Sequence, residues 1–99
     1  MYNFLMRFEW NAEKNKFLKH ERGISFEEVV LCLSYGNLWK IIDHPNPDKY
    51  PNQVIYYVLV GQYVCLVPCI LEKDYIFLKT IIPSRKATKE YQQEMESGS

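Results

Sequence analysis

Hydrophobic, β-branched and aromatic positions dominate the second half of the chain and predict three neighbouring strands. The runs cover residues 54–60, 63–70 and 75–82 and are rich in residue types that favour strands. Two residues join the first two runs, and residues 71–74 join the last two. Because such short connections link antiparallel neighbours, we expect a β-meander.

The first half of the chain carries helix signals instead. Asn11 can cap a helix over residues 12–22, and Gly23 follows where a left-handed C-cap is favoured. Residues 25–28, Ser-Phe-Glu-Glu, have the pattern of a capping box. A second helix is predicted over residues 26–35, since its apolar positions fall on one stripe: Phe26, Val29, Val30 and Leu33.

The remaining segments complete an α+β pattern. Residues 4–8 and 38–43 are predicted to be strands. Residues 44–52 contain three prolines and predict a surface loop, and residues 87–95 favour a closing helix. The order β-α-α-β-β-β-β-α separates the helices from a mostly antiparallel sheet, which is the α+β class. We expect both N-terminal helices on one sheet face, over core positions that include Val58, Val60, Cys65, Val67 and Ile76.

Composition indicates one small domain. The chain has 99 residues, of which 47% are hydrophobic, and we assign residues 1–96 to the domain and residues 97–99 to a flexible tail. Twelve basic residues balance twelve acidic ones, so attraction for a polyanion must come from local clustering. The longest apolar stretch is too interrupted for a membrane helix, and the first residues lack a signal-peptide pattern. We therefore expect a cytoplasmic protein without membrane contact.

Motifs for cofactor or metal chemistry are missing from the sequence. It contains no HExxH, Walker loop, GxGxxG or GxSxG pattern. Cys32, Cys65 and Cys69 have mostly apolar neighbours and no ligand set of matching spacing. We interpret them as core residues in a reducing compartment and expect neither a metal nor a cofactor.

The strongest candidate for chemistry is a basic stretch near the C-terminus. Between Tyr75 and Lys89 the chain has four basic residues and no acidic one: Lys79, Arg85, Lys86 and Lys89. Where a strand leads into a helix, such cations and the free helix amides can hold phosphate groups. The alternative interpretation is a solvated basic corner.

Three further candidates lie elsewhere. His20 follows Lys19 near the end of the first predicted helix, where its protonated ring is favoured and could transfer protons. Glu27 could act as a base, although capping also explains it. Tyr50, beside Lys49 in the proline loop, is suited to stacking on a base.

Two blocks in these regions match a known pattern. They are Lys19-His20 followed by residues 23–29, Gly-Ile-Ser-Phe-Glu-Glu-Val, and residues 83–89, Pro-Ser-Arg-Lys-Ala-Thr-Lys, after a Phe8-Glu9-Trp10 start. Together they resemble the BrnT family of toxins from bacterial type II toxin–antitoxin systems, over about residues 4–91. The resemblance implies a RelE-like fold and metal-independent endoribonuclease activity that inhibits translation. It also implies neutralisation by a ribbon-helix-helix antitoxin. The toxin is then expected to contact operator DNA only as part of the complex with that antitoxin.

The resemblance, taken with cleavage chemistry, assigns roles to the candidates. Cleavage needs an activated 2′-hydroxyl, a stabilised phosphorane and a protonated leaving oxygen. We assign catalysis to His20, Arg85, Lys86 and Glu27. We assign RNA binding to Lys19, Lys49, Tyr50, Lys79 and Lys89.

The chain departs from the family pattern at three places. Glu21-Arg22 is inserted after His20, Thr80 stands where the family has a basic residue, and the stretch around Lys49-Tyr50-Pro51 differs. A second hypothesis therefore keeps the same fold without turnover. In that hypothesis the chain is an inactive interaction protein that serves only as the antitoxin's partner and co-repressor.

Overall fold

The computed structural model of the chain describes residues 7–98, which form three helices and six strands. The helices are α1 (Ala12–Arg22), α2 (Phe26–Ser34) and α3 (Arg85–Ser97). The strands are β1 (Arg7–Glu9), β2 (Leu38–Asp43), β3 (Gln53–Val60), β4 (Tyr63–Leu71), β5 (Tyr75–Leu78) and β6 (Ile82–Pro83). The first three residues of the strand predicted at 4–8 lie outside the described residues. In the described part of the chain, no helix is long and apolar enough to cross a membrane.

Local capping sets both N-terminal helices as predicted. Asn11 Oδ1 accepts a hydrogen bond from the Lys14 amide at 2.9 Å, and Gly23 closes α1 with a φ of 66°. Ser25 Oγ accepts from the Glu28 amide at 3.1 Å and starts α2 at Phe26. These short-range bonds place the helix boundaries within about one residue of the prediction.

The strands form one mixed, mostly antiparallel sheet in the order β1-β5-β4-β3-β2. Strands β3, β4 and β5 form the predicted antiparallel meander, and β2 extends it antiparallel to β3. Strand β1 is parallel to β5 at the opposite edge. The α+β class is confirmed.

The strand predicted over residues 75–82 is wrong as a single element. Both β5 and β6 pair with β4, Leu78 opposite Cys69 and Ile82 opposite Leu66. Four residue steps separate Leu78 from Ile82, whereas three separate their partners, so one extra residue bulges out of the ladder. The bulge follows from core packing, because it turns Ile81 into the fully buried core.

The closing helix is longer than the predicted 87–95. Ser84 is its N-cap, since Ser84 Oγ accepts from the Ala87 amide at 3.0 Å and lets the helix begin at Arg85. At the other end α3 includes Ser97, which the sequence assigned to the tail. The early start matters because it places Arg85 and Lys86 in the first helical turn.

Helices α1 and α2 cover one face of the sheet. Leu18, Phe26 and Val29 are buried against the inward positions of the central strands. Of the predicted core, Val58, Cys65, Val67 and Ile76 are buried and Val60 is partly buried against them. Trp10 stacks on Phe26 with ring centroids 5.6 Å apart and closes this core near β1.

Helix α3 packs on the other face, at one end of the sheet. Val64 and Ala87 are buried outside the main core, and the Thr88 hydroxyl accepts from the Val64 amide at 2.8 Å. Further along the helix, Tyr91 meets Trp39 edge to face at 5.2 Å. We call the sheet surface opposite α1 and α2 the open face, because α3 covers only this end of it.

Candidate functional site

Three cations stand together at the start of α3. Arg85, Lys86 and Lys89 are all exposed, and within residues 7–98 none of them has an ion-pair partner. The first turn of α3 has no acidic residue. Cations at a helix N-terminus oppose the helix dipole, whereas anions there are stabilised. This cluster, which we call the basic corner, is therefore suited to an anion.

Backbone donors add to the basic corner. Ser84 Oγ caps the Ala87 amide, so the amides of Arg85 and Lys86 are left without an intrahelical acceptor. Free amides at a helix start bind phosphate oxygens, and a guanidinium can bind two such oxygens at once. The corner can thus supply both side-chain and main-chain donors to one phosphate.

Arg22 is a residue that the sequence reasoning missed. Its Nη1 donates to the Ile81 carbonyl oxygen at 2.7 Å, which holds the last turn of α1 against the segment leading into α3. Glu21 and Arg22 are both part of α1, which ends at its C-cap Gly23. The position of Arg22 just before Gly23 is a local sign of a helix end. The contact with Ile81 could not be predicted in this way, because the two residues are 59 positions apart in the sequence.

His20 lies in the same last turn of α1 but points to solvent. Its side chain is 84% exposed, and Nδ1 lies 2.9 Å from the Glu21 carboxylate. Within residues 7–98, no hydrogen bond or ion pair joins the His20 ring to Glu27 or to the basic corner. The imidazole is accessible to a substrate, and Glu21 is its partner in the folded chain.

Glu27 is held by neighbours that fasten α1 to α2. The buried Asn15 side chain donates to Glu27 Oε1 at 2.8 Å and accepts from the Phe26 amide at 2.8 Å. Lys19 Nζ lies 3.7 Å from the same carboxylate oxygen. The hydrogen bond from Asn15 is the main reason why the pKa of Glu27 is lowered, and backbone hydrogen bonding and Lys19 act in the same direction.

Replacing Glu27 by glutamine is expected to flatten the acid limb of the stability profile. Because folding lowers the Glu27 pKa, the carboxylate stabilises the fold above its unfolded pKa, and this contribution is lost as the pH falls through the folded value. Urea unfolding between pH 7 and pH 3 should therefore show a shallower decrease for Glu27→Gln than for wild type. Equal slopes would show that the Asn15 and Lys19 contacts do not favour the charged form.

Three of the predicted RNA-binding residues gather at the far end of the sheet. The Tyr50 ring packs on His44 at 4.4 Å, and Lys49 Nζ lies 5.5 Å from the Tyr50 ring centroid. Lys79 Nζ donates to Gln53 Oε1 at 3.2 Å, and the Gln53 amide donates to the Tyr50 carbonyl at 3.2 Å. Lys49 thus lies beside the Tyr50 ring, and Lys79 reaches Gln53 at the start of β3, next to this loop; an aromatic ring with neighbouring lysines is typical of a single-strand binding surface.

The register separates this aromatic loop from the basic corner. The Lys79 amide bonds to the Pro68 carbonyl, and the Ser84 amide bonds to the Val64 carbonyl. Four residue steps of β4 lie between these carbonyls, about 13 Å along a strand. With its ammonium bonded to Gln53, Lys79 is positioned for a different phosphate from Arg85, and an extended strand of RNA can reach both.

The cysteines are core residues with suppressed reactivity. Burial raises the pKa of Cys65 to about 11 and that of Cys69 to about 12. Cys32 is partly exposed, with a pKa raised by burial and by Glu28. Within residues 7–98, no group of three or more His, Cys, Asp or Glu side chains is arranged to hold a metal ion.

Thiol labelling is expected to distinguish the three cysteines. At pH 8 the folded protein should react through Cys32 alone, because a thiolate is needed and the other two thiols are buried and protonated. All three should react in denaturant. Mass spectrometry of the labelled peptides checks this, and rapid labelling of Cys65 or Cys69 in native protein would contradict the packing of β4.

Neither protein-family models nor curated proteins match the chain. The candidate site is therefore described by its geometry: exposed cations and free amides at the start of α3, an accessible imidazole at the end of α1, and the loop that holds Lys49 and Tyr50.

Proposed function

We propose that this chain is the toxin of a type II toxin–antitoxin system, a metal-independent endoribonuclease with a RelE-like fold, similar to the BrnT family. The basic corner carries the proposal, because its three cations lack ion-pair partners within the described residues and lie in the same two helical turns as the free amides of a helix start. A purely structural helix start favours acidic residues instead. The similarity of the two sequence blocks to the BrnT pattern supports the choice of family. The proposed partner is a ribbon-helix-helix antitoxin that neutralises the toxin and carries the complex to operator DNA.

In the proposed reaction, the ribose 2′-oxygen attacks the adjacent phosphorus and the bond to the 5′-oxygen breaks. The products are a 2′,3′-cyclic phosphate and a 5′-hydroxyl end. Arg85 and Lys86 stabilise the charge that grows on the phosphorane oxygens, since fixed donors aimed at developing charge lower the barrier. The proton of the 2′-hydroxyl must leave, and the departing 5′-oxygen must gain one.

His20 is the proposed proton-transfer group, and Glu27 is the weaker candidate. A neutral imidazole can accept a proton and an imidazolium can donate one, which suits both halves of the transfer. The lowered pKa of Glu27 makes its carboxylate a poor proton acceptor. Lys19, Lys49, Lys79 and Lys89 would hold the RNA backbone, and Tyr50 would stack on a base.

The contact of His20 with Glu21 favours a second candidate function. If the imidazole stays on Glu21, the basic corner binds an anion without a proton-transfer group beside it. The chain would then be a catalytically inactive interaction protein that serves only as the partner and co-repressor of the antitoxin. The two functions differ in whether the chain alone is toxic.

Expression of the chain alone tests the proposal. We expect growth arrest together with breakdown of cellular RNA, and we expect co-expression of the antitoxin to relieve both. A His20→Ala variant should express to the same level without arrest. Normal growth and intact RNA in cells that contain the soluble, folded wild-type chain would support the interaction protein instead.

A further inference from the structure

The open face carries an apolar strip that no helix within residues 7–98 covers. The strand register arranges it in cross-strand rows. Ile42 lies opposite Ile55, which lies opposite Pro68, and Ile70 lies opposite Phe77. Leu66 and the 42%-exposed Ile82 continue it toward α3. We call the following set the apolar strip: Ile42, Ile55, Leu66, Pro68, Ile70, Phe77 and Ile82.

The strip differs from the basic corner in its chemistry. Its members are mainly aliphatic, half-buried by their strand neighbours or exposed, whereas a solvent-facing antiparallel sheet surface normally alternates to polar residues. Aliphatic side chains offer nothing to a phosphate and little to a base. A contiguous surface of this kind is typical of a protein interface.

Lysines without acidic partners stand at two opposite corners of the strip. Lys40 Nζ lies 4.3 Å from the Trp39 ring centroid and 4.9 Å from the Tyr57 ring centroid. The Lys79 ammonium donates a hydrogen bond to the neutral Gln53 side chain. Within residues 7–98, neither ammonium has an acidic partner. The acid among the paired positions of the open face is Glu9, and Arg7 neutralises it. The face is apolar in the middle and positive at two corners.

We infer that the apolar strip is the docking site for an amphipathic helix of a partner protein whose apolar stripe is flanked by acidic residues. The inference rests on the proposed function, in which that partner is the antitoxin. The aliphatic side chains of the strip disfavour RNA, and the lysines at its corners favour an acidic partner over a second copy of this face, which would bring like charges together. The basic corner then remains the RNA site.

The dimensions of the strip suit one helix. Strands β2 to β5 are separated by three inter-strand spacings, about 14 Å, and an α-helix with its side chains is about 10 Å wide. Lys40 and Lys79 are separated by three inter-strand spacings across the sheet and by two residues along a strand, which together amount to roughly 16 Å. Acidic residues ten or eleven positions apart on a helix, a rise of about 15–16 Å, would meet both lysines.

Affinity measurements with the partner encoded beside the gene for this chain test the inference. The variant is the double substitution Ile42→Glu and Ile82→Glu, whose side chains are 41% and 42% exposed. The matched control is Phe17→Glu with Leu31→Glu on the helix layer, 53% and 52% exposed. We expect the first variant to raise the Kd by about 100-fold, as loss of central interface contacts does, and the control to stay within about twofold. Urea unfolding checks that both variants are folded.

A charge-reversed variant provides an independent readout. Lys40→Glu should slow association by about threefold at low salt, and added salt should reduce the difference. Both variants are expected to leave the Arg85-dependent cleavage of a short RNA within a few-fold of wild type.

Each remaining outcome overturns the inference. Unchanged partner affinity in the Ile42→Glu/Ile82→Glu protein places the partner elsewhere, and loss of RNA binding in that protein makes the open face an RNA surface. If wild type forms no complex with the encoded partner, the docking site is wrong, whereas RNA cleavage by the chain alone still decides the proposed function.

Discussion

Replacing Arg85 by alanine is expected to slow RNA cleavage by about 10²–10³-fold, the usual effect of removing one donor that stabilises transition-state charge. The guanidinium stands exposed in the first turn of α3 without an ion-pair partner in residues 7–98, so its removal breaks no described contact. Stability should stay unchanged or rise slightly, because a cation leaves the positive end of a helix dipole. Single-turnover cleavage of a short RNA by purified protein measures the effect.

Lys73→Ala is the matched control for Arg85→Ala. Lys73 is also an exposed cation, but it lies in the turn between β4 and β5, away from the basic corner. Its removal should leave cleavage within about twofold of wild type. Equal losses in both variants would mean that RNA is held by general charge, and no loss in either would remove Arg85 from the site.

The second large effect is expected on stability, from Asn15→Ala. Asn15 is 5% exposed, accepts from the Phe26 amide and donates to Glu27, so its side chain joins α1 to the first turn of α2 through two hydrogen bonds. Alanine leaves the buried Phe26 amide without its acceptor, at a cost of about 2–3 kcal/mol with the second bond included. For a domain of this size the melting temperature should fall by roughly 10–20 °C.

Asn11→Ala separates this bridge from simple capping. Asn11 Oδ1 makes an exposed bond to the Lys14 amide, so its loss should cost about 1 kcal/mol. Urea unfolding of both variants gives the comparison. An Asn15→Ala protein no less stable than Asn11→Ala would show that the Asn15 bridge contributes no more than a surface cap.

Local signals explain which parts of the fold were predictable. The Asn11 cap and the Gly23 stop act within a few residues, and the two-residue join after β3 permits only an antiparallel neighbour. The bulge before Ile82 was not predictable, because it depends on fitting Ile81 into a core built from distant elements. The side on which α3 packs has the same origin, since it depends on the burial of Val64 and Ala87 and on the bond between the Val64 amide and the Thr88 hydroxyl.

The candidate site was predictable in composition but not in arrangement. The basic corner is contiguous in sequence, so Arg85, Lys86 and Lys89 had to lie together once a helix began there. The register alone shows that Lys79 belongs to the Tyr50 end of the sheet. Likewise, the bond between Arg22 and Ile81 joins two segments that no sequence spacing relates.

The most direct test is the chemistry of the cut RNA. Purified wild-type chain, incubated with a short RNA in the presence of a chelator, is expected to yield 2′,3′-cyclic phosphate and 5′-hydroxyl ends. A substrate with a single 2′-deoxyribose at the cleavage position should resist cutting there, since the attacking oxygen is missing. Intact RNA after incubation with folded protein, or products with 5′-phosphate ends, would contradict cleavage by 2′-hydroxyl attack at the basic corner.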